Sequence, residues 1–231
     1  GTWRSDRPQL FSVKEQRAIA EKSARAHQNA EEARRARQLE SARRAAEIWA
    51  SASPAAPGHP YLVRKRLKPH GARAYRNALC LPVADFCGGL HSLQFVSASG
   101  GKKLLSGGRK QGCFIPVSGS TFAPKRVIIC EGWATGCTLA EIEAGWTVLA
   151  AIDAGNLEPV ARAARCHWPM AELVIAGDDD RLTEGNPGAT KARAAAIEAG
   201  ARLALPEWPA GAPGHLTDFN DLAVWLEGGA S

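Results

Sequence analysis

Three patterns of apolar and polar positions divide the chain. From Val13 to about Ser51 there is no proline or glycine, and alanine, glutamate, arginine and glutamine dominate. Such a stretch predicts one long helix, or two. Ser12-Val13-Lys14-Glu15 opens it as a capping box, with serine at the N-cap and glutamate three residues on. At 1.5 Å per residue it would run roughly 60 Å. Its apolar positions are mostly alanine, with Ile19, Leu39, Ile48 and Trp49 as the larger anchors. A helix this polar does not bury a full face, so it reads as a strut or linker, or as a surface that docks a partner or tracks DNA. Residues 1–11 are polar and read as frayed.

Ser53-Pro54-Ala55-Ala56-Pro57-Gly58 ends the helix and marks a boundary. His59 to Lys68 follows. Beyond it the pattern becomes one of short strands and glycine turns. Ala78 to Val83 and Leu90 to Val96 read as a hairpin around Gly88-Gly89. Gly100-Gly101 then turns the chain into Lys102-Lys103-Leu104-Leu105-Ser106-Gly107-Gly108-Arg109-Lys110, and Cys113 to Val117 reads as another strand. The whole predicts a small antiparallel subdomain. From Lys125 the pattern changes again, to strand–helix alternation, the signature of a parallel sheet with crossover helices. Strands fall near 126–130, 146–152, 171–176 and 201–205, and helices near 134–144, 157–166, 187–199 and 219–227. Asn186-Pro187 fits an N-cap and first helical position, with Gly200 at the stop. The expected organisation is 1–55 as helix and linker, 56–124 as the antiparallel unit, and 125–231 as an α/β domain.

Charge sharpens this division. The 231 residues carry a net charge of +6, unevenly spread. Residues 56–126 hold 12 Lys and Arg against one acid, whereas residues 127–231 hold 6 against 15 acids. A basic block beside an acidic one suits a nucleic-acid grip next to a metal site. The six cysteines form no C-x-x-C pair, which argues against a zinc ribbon and for reduced thiols in a cytoplasmic protein. No apolar run approaches ~20 residues, so no membrane span is expected, and the N-terminus has no signal-peptide pattern. The chain opens Gly-Thr-Trp without methionine, as a piece of a longer polypeptide would.

The chemistry concentrates at two strand ends. Val127-Ile128-Ile129-Cys130 delivers Glu131, followed by Gly132 and a helix. Leu173-Val174-Ile175-Ala176-Gly177 delivers Asp178-Asp179-Asp180. In open α/β sheets, sites form beyond the carboxyl ends of the strands. In extended backbone Asp178 and Asp180 project to one side. Glu131, Asp178 and Asp180 would therefore repel one another, by about 4 kcal/mol for a pair ~4 Å apart at an effective dielectric near 20. A hard divalent cation, Mg²⁺ or Mn²⁺, reverses that sign. Asp218, before the last helix, is either an N-cap or a third carboxylate for the site. Lys191 and Arg193 lie where a helix start favours phosphate, or are ordinary exposed cations. Lys102, Lys103, Arg109 and Lys110 flank glycines that allow close approach to a phosphate chain. Arg64, Lys65, Arg66 and Lys68 form a candidate DNA-binding row. Trp133 reads as core.

Together these motifs resemble the Toprim superfamily, and within it the primase-type proteins of phages, plasmids and integrated elements. The likeness runs through Val127 to Gly136, Ala151-Ile152-Asp153-Ala154-Gly155-Asn156, Gly177 to Asp180, Gly185 to Lys191 and Asp218-Phe219-Asn220-Asp221-Leu222. Cys80-Leu81-Pro82-Val83, Gln94-Phe95 and Lys103-Leu104-Leu105-Ser106 resemble the basic subdomain that precedes the Toprim fold in bacterial primases. The resemblance implies a four-stranded parallel sheet flanked by helices, and a catalytic core that makes RNA primers on single-stranded DNA from nucleoside triphosphates. Glu131 would organise metal and act as general base. Asp178 and Asp180 would hold two Mg²⁺ or Mn²⁺ ions, Asp218 would match the third acid, and Lys103 would touch nucleotide or template. A replicative helicase is the partner implied. The zinc-binding module such primases carry has no counterpart here, nor does a G-x-x-x-x-G-K-[ST] motor motif. A Toprim nuclease and a non-catalytic helicase adaptor are the alternatives. A topoisomerase is disfavoured, because its only candidate nucleophiles, Tyr61 and Tyr75, lie in the basic subdomain.

Overall fold

The computed structural model describes residues 12–228; the expectation for residues 1–11 lies outside them. Helix α1 (Val13–Ser51) is one continuous helix, and its capping box forms as read: Ser12 accepts from the Glu15 N–H while the Glu15 carboxylate accepts from the Ser12 N–H. Its anchoring differs from the expectation. Ile19 and Leu39 are 52% and 75% exposed. The seat is made instead by Ser41 and Ala45, both buried, with Ile48 and Trp49 half-buried. Small side chains let the helix backbone lie close on the sheet below it, where Ala45 meets Cys80 and Leu93. Arg73 adds a guanidinium stacked on Trp49, 4.4 Å from the ring centre.

That sheet contains β1 (Ser53–Pro54), β2 (Arg73–Tyr75), β3 (Ala78–Ala84), β4 (Leu90–Ser97) and β5 (Lys102–Leu104), antiparallel in chain order. The hairpin β3–β4 is the one read from the sequence. A short helix α2 (Pro60–Lys65) precedes β2, with Pro60 in its first turn and Tyr61 and Leu62 buried.

Strand β6 (Ile115–Ser118) corrects one expectation. It leaves the basic subdomain and pairs antiparallel with β8 (Thr147–Ala150) of the second sheet. Four strands of that sheet are parallel as expected: β10 (Arg202–Ala204), β9 (Glu172–Ala176), β7 (Arg126–Cys130) and β8, in that spatial order. With β6 at the edge the sheet has five strands. The alternation in β6, buried at Ile115 and Val117 and half-exposed at Pro116 and Ser118, suits an edge position, where Pro is tolerated.

Helix α3 (Trp133–Ile142) covers one face of the second sheet. Helices α4 (Leu157–His167) and α5 (Pro187–Ala199) cover the other. On α5 the buried positions are small, Gly188, Ala189, Ala192, Ala195, Ala196 and Ala199, so the helix sits close to β9. Gly177 is obligatory at that contact, since a Cβ there would lie 2.4 Å from the Ala192 Cβ. The last helix, α6 (Phe219–Gly228), packs beside α3. Trp133 is 2% exposed and is core. Among the described residues no helix is long and apolar enough to cross a membrane.

A candidate carboxylate site at the sheet edge

The central strand β7 lies between β8 and β9. Each of the three is followed by an acid: Glu131 directly after β7, Asp153 after β8, and Asp178 after β9. Neighbouring strands lie ~4.8 Å apart, so parallel pairing alone brings these acids to one edge. Ile152, before Asp153, stands at φ +81°. A β-branched residue rarely adopts that conformation, which costs on the order of 1–3 kcal/mol. Two residues later the Ala154 N–H stands near enough to the Glu131 carboxylate to favour its charged form.

Glu131, Asp178 and Asp218 line one pocket of about 300 Å³, together with Gly132, Thr135, Tyr61, Arg64, Lys65 and Lys102. Asp218 caps a helix and also lines the pocket. Its Oδ1 accepts from the Asp221 N–H at 2.7 Å, capping α6, while its Oδ2 accepts from the Thr135 hydroxyl at 3.3 Å. Asp178 Oδ1 is buried and has no hydrogen-bond partner. Burial, then the charges of Glu131, Asp218 and Asp180, push the Asp178 carboxyl up to about 8, with Lys102 opposing. Glu131 is raised too, first by burial, then by Asp180 and Asp153, against the Ala154 N–H and Lys102. Tyr61 is pushed up to about 12 by burial and by Asp218.

Asp180 is close enough to influence both Glu131 and Asp178. Its Oδ2 accepts from the Gly188 N–H at 2.9 Å, at the start of α5. A Cβ on Gly188 would lie 2.7 Å from the Asp178 carbonyl oxygen and 2.8 Å from Asp180 Oδ2. Asp179 points elsewhere, bound by Asn186 and Trp208.

The candidate cations are placed differently from one another. Lys102 lines the pocket, and a Cβ on Gly132 would lie 3.6 Å from its Nζ. Lys103 is exposed, and strand alternation puts it on the face opposite Lys102. Lys110 pairs with Asp153 at 2.6 Å, and Arg109 stands 3.6 Å from Asp85. Lys191 and Arg193 are exposed on α5 and line no part of the pocket. The candidate DNA-binding row does not present four free cations. Lys65 pairs with Asp221 at 2.9 Å, Arg66 with Glu227 at 2.9 Å, and Lys68 with Glu141 at 3.7 Å. These pairs tie α2 to α6 and α3. Arg64 donates to the Ala98 carbonyl and lies over the Tyr61 ring at the pocket rim.

Asp153, Thr135 and Tyr61 were not among the candidate site residues. Asp153 had a legible signal, since it follows its strand as Glu131 follows β7. Tyr61 and Thr135 had none, because only the tertiary fold brings α2 and α3 against the acids.

Among the described residues, no group of three or more acid, histidine or cysteine side chains forms a ready-made ion cage. The donor set nevertheless fits a hard divalent cation. It is all carboxylate oxygen, it includes a buried oxygen with no donor, and burial together with the neighbouring acids raises the pKa of Asp178 and Glu131. Mg²⁺ commonly takes one or two carboxylates and completes its shell with water and substrate phosphate.

A parallel sheet with acids at its carboxyl edge, flanked by helices on both faces, defines the class, and residues 126–229 match the Toprim domain model. This stretch of the chain is a Toprim domain. Over 219 residues the chain is 33% identical to a protein named DNA primase TraC of Escherichia coli, covering 89% of this chain and 15% of that protein. A second Escherichia coli protein of the same name is 34% identical over 218 residues, covering 88% of this chain and 20% of its own length. The chain thus spans about a fifth or less of the curated relatives it matches. Among solved structures, the primase fragment of the bacteriophage T7 primase-helicase overlaps 74% of this chain and 77% of its own, at 15% identity and a TM-score of 0.47.

Proposed function

We propose that the chain is the catalytic core of a DNA primase, joining nucleoside triphosphates into short RNA primers on a single-stranded DNA template. The observation that carries this reading is the convergence of Glu131, Asp178 and Asp218 on one pocket rimmed by Lys102 and Arg64. The identity with the two TraC primases along nearly nine-tenths of the chain supports it.

In this reading the attacking group is the 3′-hydroxyl of the growing primer and the leaving group is pyrophosphate. Glu131 accepts the hydroxyl proton, a role suited to a carboxylate that burial has made more basic. Asp178, Asp180 and Asp218, with Glu131, are the residues that would hold Mg²⁺ or Mn²⁺. When bound, such ions lower the pKa of the attacking hydroxyl and neutralise charge on the leaving pyrophosphate. Lys102 steadies the triphosphate at the pocket mouth; Lys103, Arg109, Lys110 and Lys191 lie outside that pocket and are proposed as phosphate contacts beyond it. Arg64 and Lys65 guide the template across the rim, with Arg66 and Lys68 beyond. Asp153 holds Lys110 in place. A replicative helicase is the partner whose unwound strand this activity would serve.

The test is synthesis. Incubated with single-stranded DNA, labelled nucleoside triphosphates and Mg²⁺ or Mn²⁺, the protein should release short oligoribonucleotides. Glu131→Gln should abolish the product and leave DNA binding within about twofold. Breakdown of the DNA without synthesis would replace the primase with a nuclease, and equal loss of binding and synthesis would make Glu131 structural.

A further inference from the structure

A second cleft lies between α1 and α4, closed on one side by the loop after β5. It has a volume of about 540 Å³ and is lined by Arg34, Arg35, Arg109, Arg162, Gln38 and Gln111, among others, with no acidic residue in its lining. Its four guanidiniums come from three separate parts of the chain. Arg34 leans on Glu31 at 2.8 Å. Arg109 stands 3.6 Å from Asp85, which is already engaged by His91 at 2.7 Å. Arg35 and Arg162 have no ion-pair or hydrogen-bond partner among the described residues.

Arg35 and Arg162 face the cleft from α1 and α4 without a counter-charge, and like charges repel one another, so an anion entering between them is favoured. Guanidinium forks bind phosphate oxygens two at a time. Gln38 and Gln111 add neutral donors. Gly112, at φ +70°, leaves open space where a side chain would stand. No aromatic residue lines the cleft, so it offers no platform on which a base could stack. What it offers is contact with phosphate and no reading of sequence. It is connected to the carboxylate site only through the loop after β5: Arg109 precedes Lys110, which pairs with Asp153, and the Asp153 charge acts on Glu131.

We propose that this arginine cleft holds the phosphodiester backbone of single-stranded nucleic acid, independently of sequence, as a second contact away from the acids. The choice of nucleic acid as the anion rests on the primase reading. The cleft would make α1 part of the grip rather than a spacer.

The experiment uses the full chain in EDTA and a fluorescent mixed-sequence 20-nucleotide single strand, with anisotropy read across a salt series. Arg35→Glu with Arg162→Glu alters two exposed, unpartnered residues. Arg17→Glu with Arg25→Glu makes the same charge change on exposed residues outside the cleft. The cleft pair should weaken binding about tenfold or more at low salt and flatten the log–log salt slope by about 1.4, two contacts at about 0.7 each. The control pair should leave the slope unchanged. Equal effects of both pairs, or an unchanged slope in the cleft pair, would overturn the proposal. So would a calorimetric response to inorganic triphosphate that the cleft pair abolishes while strand binding persists. Failure of wild-type primer synthesis would remove the primase reading but leave the slope comparison intact, so the two failures are told apart.

Discussion

Asp178 offers a direct measure of how strongly the acids press on one another. Its carboxyl is ordinarily near 3.8 and is pushed up to about 8 in the folded protein. A carboxylate whose folded pKa is raised binds more protons folded than unfolded. Its contribution to stability is full below the unfolded value and is lost as pH climbs through the folded one. With a slope of about 1.4 kcal/mol per pH unit per proton, metal-free protein should lose on the order of 2 kcal/mol between pH 6 and pH 8. Glu131 is raised as well and acts in the same direction. Asp85 and Glu141 are lowered by their histidine and backbone partners, so their contributions fade only in acid. Cys80 and Cys113, pushed up to about 11, weaken the fold only as pH passes about 9. Urea titrations in EDTA at pH 6, 7 and 8 check this. With an m-value of about 2–3 kcal/mol per molar, the midpoint should fall by about 1 M from pH 6 to pH 8. Asp178→Asn removes the titrating group and the repulsion together. Its midpoint should be nearly flat over that window and should exceed wild type at pH 8. A wild-type midpoint that holds or rises from pH 6 to pH 8, or an Asp178→Asn variant that keeps the whole decline, would refute the idea that burial among like charges governs this acid.

Two further outcomes follow from the packing around the site. Gly188→Ala forces a methyl against the Asp178 carbonyl and Asp180 Oδ2; it should cost about 1–3 kcal/mol by urea denaturation, and an unchanged midpoint would show that the acid loop yields freely. Asp221→Ala removes the Lys65 ion pair and the acceptor for the Thr217 N–H; it should cost about 1–2 kcal/mol, and a cycle with Lys65→Met should give a coupling of about 0.5–1 kcal/mol rather than none.

How far the sequence could be read depends on the range of the forces involved. α1, the β3–β4 hairpin and the α/β alternation after Lys125 are written in local periodicity and in caps such as Ser12 and Asn186, and the structure places them within a residue or two. The row of acids is legible for a related reason: a strand that ends in a carboxylate needs only parallel neighbours to become a cluster. Other features depend on contacts between distant segments. Ile19 and Leu39 were reasonable anchors by size, yet α1 is seated by Ser41 and Ala45, because close approach to the sheet favours small side chains. Strand β6 matched its upstream neighbours in pattern and joined the downstream sheet, since period-two alternation does not say which edge a strand will meet. Lys65, Arg66 and Lys68 looked like an open row because their acids lie more than seventy residues away, on α3 and α6.

The edge strand β6 carries one more consequence. It emerges from the basic half of the protein yet is hydrogen-bonded to Val148, Leu149 and Ala150 of the acidic half, while Phe114, just ahead of it, bridges to Ala84 at the end of β3. A riveted seam of this kind leaves little freedom for the two halves to swing apart. Heat or denaturant should melt them as one cooperative body, and anything that reaches the acids must come in by the open side rather than through a widening jaw.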